Sequence, residues 1–201
     1  MESIIPQAER EQIIALMKRE VVPAIGCTEP IAVALCTAKA AETLGCKPEH
    51  INVYLSANIL KNAMGVGIPG TGMIGLPIAI ALGALIGKSE YQLEVLKDCT
   101  PEAVEEGKQM IAEPNCINIA LKDDIEEKLY IEVTCTSGND VATAIISGGH
   151  THFVYLCRNG EVSLDKRSKG TSEQEEESVE LTSRRRTVEL SAAYPRGFLS
   201  V

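Results

Sequence analysis

The groups best suited to chemistry fall in two short stretches near one another in the sequence. Gly26-Cys27-Thr28-Glu29-Pro30 carries a thiol and a carboxylate, and Ser56-Ala57-Asn58-Ile59-Leu60-Lys61-Asn62 carries two amides and an amine. A glycine-rich run, Gly67-Ile68-Pro69-Gly70-Thr71-Gly72, follows. Cys27 precedes a predicted helix, where backbone N–H groups and the helix dipole favour a thiolate able to attack an electrophile or bind a soft metal. The bland alternative is an inert cysteine in a tight turn. Glu29 is either a base or a favourable charge at a helix start. Lys61 supplies a cation, Asn58 and Asn62 directional donors, and the glycines a close backbone approach. Together they suit a carboxylate or phosphate, or else a buried connection that needs glycines for its bends. No Gly-Lys-Ser/Thr follows, so the run is not a nucleotide-binding Walker loop.

Three histidines are present: His50, His150 and His152. On a strand, His150 and His152 would share a face and form a metal pair. If His150 instead ends a turn, it suits polarising a substrate or moving a proton. Gly65-Val66-Gly67 lacks the strand–turn–helix context of a dinucleotide fingerprint, and no nucleophile elbow or zinc finger is present.

These residues need a frame. Residues 7–20 read as an amphipathic helix ended by Val21-Val22-Pro23. A second helix starts near Thr28, an N-cap candidate, with Pro30 in its first turn. It runs apolar almost all round to Leu44 and stops at Gly45. Asn52–Leu55 is a short strand, and 56–71 a loop with room for one helical turn. Helices follow over about 74–87 and over Pro101–Ala112. The pattern then changes to strands at 118–121, 129–135, 141–146 and 152–157, with turns at Ser137–Asp140 and Ser147–His150. Helices first and strands later predict an α+β fold, N-terminal helices packed with a small, mainly antiparallel sheet. Residues 1–164 form the expected domain. Residues 165–201 read as a poorly ordered or foreign tail, with an acidic run at 174–180 and a basic one at 184–186.

Bulk composition narrows the function classes. The 201 residues carry a formal net charge of -9, which argues against nonspecific nucleic-acid binding. Aromatics make up only 3%, so the core must be aliphatic. Seven cysteines, with no signal peptide in view, point to a reducing cytoplasm rather than a disulfide framework. Residues 62–87 are uncharged but interrupted by Asn62, Pro69 and Pro77. They read as a buried helix and not a membrane span.

Gly26 to Pro30, Ser56 to Asn62, Val66 to Gly75 and Ser147 to Thr151 resemble the L-cysteine desulfidase family, related to the alpha chain of bacterial iron–sulfur L-serine dehydratases. The likeness covers about residues 7–160. It implies a four-iron, four-sulfur cluster held by three cysteines, with Cys27 matching the N-terminal ligand and one iron left for substrate. It further implies elimination of hydrogen sulfide or water from a small amino acid, yielding pyruvate and ammonia. On this reading Lys61, His150 and Glu29 are the catalytic candidates, and Ser56, Asn58, Asn62 and Thr71 the substrate-binding ones. Family members run to about twice this length, and their other two cluster cysteines lie in the second half. The expectation is an N-terminal half that alone neither holds a stable cluster nor turns over substrate, and that pairs with a second half or forms a homo-oligomer. A non-catalytic anion-binding domain and a structural dimerising domain are the alternatives.

Overall fold

The computed structural model describes residues 6–20 and 23–167. Helix α1 spans Gln7–Glu20 and α2 Thr28–Leu44. Strand β1 (His50–Leu55) leads into a short helix α3 (Ala57–Ala63), then the two-residue strands β2 (Gly67–Ile68) and β3 (Met73–Ile74). Helices α4 (Leu76–Ile86) and α5 (Pro101–Ala112) flank a 3₁₀ segment at Ser89–Glu94. Strands β4 (Ile117–Leu121), β5 (Tyr130–Ser137), β6 (Asp140–Ser147), β7 (Phe153–Arg158) and β8 (Glu161–Asp165) complete the α+β arrangement. The sequence-predicted tail lies outside the described residues from 168 onward.

The main sheet has six strands in the order β4-β1-β5-β6-β7-β8. All neighbours are antiparallel except β1 and β4, which run parallel. The predicted meander is β5-β6-β7. Strand β8 adds a hairpin across Asn159-Gly160, with Asn159 at φ 51° and Gly160 at φ 85°, the left-handed pair that a two-residue hairpin requires.

Helix α2 packs on one face of this sheet, and α4 packs on α2. Every residue of α2 from Pro30 to Ala38 is buried, as its near-continuous apolar sequence demands. The α2–α4 contact depends on missing side chains: a Cβ on Gly83 would lie 2.5 Å from the Ala34 carbonyl oxygen. Of the uncharged stretch, only the second part becomes a helix in the core, the eleven-residue α4; the first part is the end of α3 and the β2–β3 hairpin. No described helix is long and apolar enough to cross a membrane. Helix α5 starts as its sequence predicts, with Pro101 in the first turn and the Thr100 hydroxyl accepting from the Ala103 N–H.

Helix α2 differs from the sequence expectation at its first turn. Cys27, not Thr28, is the N-cap, with extended backbone angles and no side-chain capping bond. Thr28 is already helical, and its hydroxyl is turned to Glu29. The other end follows expectation: Gly45 closes the helix at φ 83°, its N–H donating to the Ala41 carbonyl.

Candidate functional site

Register gathers the motif residues. Leu55 of β1 lies opposite Ile131 of β5, and Ile131 opposite Ile146 of β6. The end of β1, the start of β5 and the end of β6 therefore form one edge of the sheet. Helix α2 begins at this same edge, because its far end, Gly45, lies beside Arg158 at the other end of β7. Ser56, Cys27, Glu29 and the turn carrying His150 are all delivered here.

Cys27 is exposed, and its Sγ donates to Glu29 Oε2 at 3.0 Å. That bond reverses the sequence expectation of an activated thiolate. Donation to a carboxylate favours the protonated thiol and raises the Cys27 pKa, and partial burial adds to the rise. The same bond lowers the Glu29 pKa, assisted by the Thr28 hydroxyl at 3.3 Å and by the nearby charge of His150. Thiol, carboxylate and imidazole thus share one electrostatic neighbourhood.

His150 sits in the turn between β6 and β7, not on a strand. The turn is fixed by Gly148 N–H donating to the Leu129 carbonyl and Ser147 N–H to the His152 carbonyl. His152 Nδ1 is 3.0 Å from the Ser147 carbonyl oxygen, so its ring folds back on its own turn. The strand-borne metal pair is therefore replaced by one histidine in the turn, whose charge reaches Glu29, and one engaged locally.

The second motif folds as a seven-residue helix, longer than the single turn expected of its loop. Ile59 and Ala63 of α3 are buried, four residues apart. Asn58, Lys61 and Asn62, at spacings of three and four, share the exposed face. No described residue pairs with these three side chains. Ser56, 3% exposed, caps the helix by position only. Its hydroxyl donates to the Lys128 carbonyl at 2.8 Å and accepts from the Tyr130 N–H, while its own N–H donates to the Tyr130 carbonyl. Ser56 and Asn58 border a cavity of about 260 Å³ under the 122–128 loop. A larger cavity, about 440 Å³, lies at the far end of α2 and carries none of the motif residues.

The glycine-rich run forms the β2–β3 hairpin. Thr71 closes it, its hydroxyl donating to the Ile68 carbonyl at 2.7 Å and accepting from the Met73 N–H at 3.0 Å. Pro69 covers Gly26: a Cβ on Gly26, which sits at φ 101°, would lie 2.8 Å from Pro69 Cγ. This contact joins the hairpin to the residue before Cys27. Sequence reasoning read Pro69 as part of the glycine-rich turn and as a break in the uncharged stretch, but not as the cover of Gly26.

The described residues bring one thiol to this place, and among them no group of three or more His, Cys, Asp or Glu side chains could hold a metal ion. They do not by themselves fit an iron–sulfur cluster.

Comparison with known proteins gives consistent relatives. A UPF0597 protein of Bacteroides fragilis is 72% identical over 89% of this chain and 42% of its own length. A UPF0597 protein of Bacteroides thetaiotaomicron is 69% identical over the same shares. One from Porphyromonas gingivalis is 48% identical over 86% of this chain and 41% of its own. The chain thus spans about two fifths of the length of these curated relatives. No family model matches the chain, and no solved structure matches it.

Proposed function

We propose, from the premise that this chain is a homologue of the UPF0597 proteins over nine tenths of its length, that it forms one wall of an amino-acid lyase site. Its reaction is β-elimination from a small amino acid: L-cysteine plus water to pyruvate, ammonia and hydrogen sulfide, with L-serine losing water in parallel. The observation that carries the reading is the Cys27–Glu29 bond at the sheet end where the His150 turn also lies, beside a glycine hairpin seated on Gly26.

Each side chain has a role in this reading. His150 takes the α-proton, and the ionised Glu29 beside it steadies the imidazolium that forms. Lys61, Asn58 and Asn62, free on one face of α3, hold the substrate carboxylate. Ser56 and Thr71 fix the backbone of the two loops that border the substrate. Cys27 is the metal ligand of this half. The cluster implied by the family resemblance would supply Lewis-acid chemistry if bound. Its remaining thiolates come from outside the described residues.

The test is anaerobic iron–sulfur reconstitution of the full-length Bacteroides fragilis relative and of this chain, each followed by a pyruvate assay on L-cysteine and L-serine. Turnover by the relative and none by this chain is expected. No pyruvate from either substrate with a reconstituted relative overturns the lyase reading. A stable cluster on this chain, lost on Cys27→Ala, overturns the claim that the site is completed elsewhere. Saturable anion binding that survives Cys27→Ala and weakens on Lys61→Ala would favour a binding module instead.

A further inference from the structure

We propose that Met64 and Ile74, with the β2–β3 hairpin beside them, form the docking surface for the polypeptide that the full-length relatives carry outside the segment shared with this chain. The inference rests on the reading that the site is completed from beyond this chain. Ile74 is the most exposed large hydrophobic side chain among the described residues, at 68%, and Met64 is at 49%. They border one junction: the Gly75 N–H donates to the Val66 carbonyl at 2.8 Å, and a Cβ on Gly75 would lie 2.9 Å from the Met64 carbonyl oxygen. Single exposed aliphatics are ordinary on protein surfaces. Here Ile74 lies on a strand pair only two residues long, which has little stability of its own, and Met64 follows the last residue of the seven-residue α3 beside it.

The surroundings match an interface. Asn58, Lys61 and Asn62 line the exposed face of α3, the helix that ends in Met64, and none has a described partner. An apolar centre with a polar rim is how a protein–protein contact is built. One rival surface, the sheet face away from α2, is already satisfied. There the Tyr130 hydroxyl donates to Glu132 at 2.7 Å, Lys122 pairs with Glu132 at 3.1 Å, and Arg167 stacks on Tyr155 at 3.8 Å. About three fifths of each relative lies outside the match, ample chain to supply an occupant. Seated on this rim, that occupant would also border the hairpin that covers Gly26, one residue from Cys27.

Amide hydrogen exchange read by mass spectrometry tests this with two natural proteins, this chain and the full-length Bacteroides fragilis relative. The segment 64–75 is expected to exchange roughly tenfold or more slowly in the relative than in this chain, with β5 exchanging alike in both. A chimera in which this chain replaces the matched segment of the relative provides the second arm. There Met64→Asp with Ile74→Asp should return the segment to its fast rate and leave β5 unchanged. Equal exchange of the segment in both proteins overturns the proposal. So does protection confined to the open sheet face, or protection in this chain alone that grows with its concentration, which would assign the surface to a second copy. Protection in a relative that makes no pyruvate would sink the lyase reading and leave the docking surface standing.

Discussion

The two ends of α2 are built to opposite rules. At its C-terminus the charged side chains and the closing backbone N–H are paired. Gly45 closes the last turn, Glu42 accepts from both the backbone and the hydroxyl of Ser89, and Lys47 reaches Glu106 at 2.6 Å. At its N-terminus the cap makes no capping bond, the thiol is exposed, and the neighbouring α3 holds unpaired amides and an amine. A helix whose ends served only stability would have both of them satisfied. The contrast teaches that the far end anchors the fold, while the near end keeps its thiol and carboxylate bonded only to each other and Thr28, beside unpaired polar groups on α3.

That contrast can be broken by substitution. The largest effect belongs to the shared middle: Leu35→Ala, at a fully buried position, should cost about 2–5 kcal/mol in urea unfolding and weaken both ends together. Gly83→Ala places a methyl 2.5 Å from the Ala34 carbonyl oxygen, and separating α2 from α4 should cost about 1–3 kcal/mol by the same measurement. At the near end, Glu29→Gln should change reactivity instead of stability. The ionised carboxylate holds the Cys27 thiol protonated, so neutralising it moves the thiol pKa down. Alkylation of Cys27 by iodoacetamide, followed across pH, should then set in at lower pH than in the unaltered chain. An unchanged profile would remove Glu29 from the account of Cys27. The smallest effects mark the two rims. Lys47→Ala should cost no more than about 1 kcal/mol, because its partner is half exposed. Lys61→Ala should shift the unfolding midpoint by less than about 0.5 kcal/mol equivalent, its loss reading out only in ligand binding.

Much of this contrast was legible in the sequence. The burial of α2 followed from an apolar run too continuous for a surface helix, and its stop from Gly45. The α4 segment was legible as core because Pro69, Pro77 and the glycines divide an otherwise membrane-like stretch. Less legible was α3, since Asn58 and Asn62 favour turns and only the Ile59–Ala63 spacing marks its buried side. Strand β8 was missed although Asn159-Gly160 is a hairpin signal and Glu161–Asp165 alternates polar and apolar residues; the strand is short, carries only two apolar residues and is largely exposed. The parallel pairing of β1 with β4 has no local signature at all. At the site, residue types pointed to Cys27 and Glu29 but not to the bond between them. Whether a cysteine at a helix start is a thiolate or a donor depends on a side-chain rotamer that no spacing rule encodes.

The place of β1 in the sheet has a consequence for how the chain is made. Its neighbours on either side, β4 and β5, begin more than sixty residues later in the chain. On a ribosome adding roughly 5–20 residues per second, β1 waits several seconds before either edge can be paired. The α2–α4 contact, by contrast, joins segments that emerge early and close together, through glycine and alanine surfaces that need little side-chain ordering. The order of synthesis therefore favours a helical pair that forms first and shelters its apolar faces, with the sheet, and the edge that carries Cys27, Glu29 and His150, assembled last.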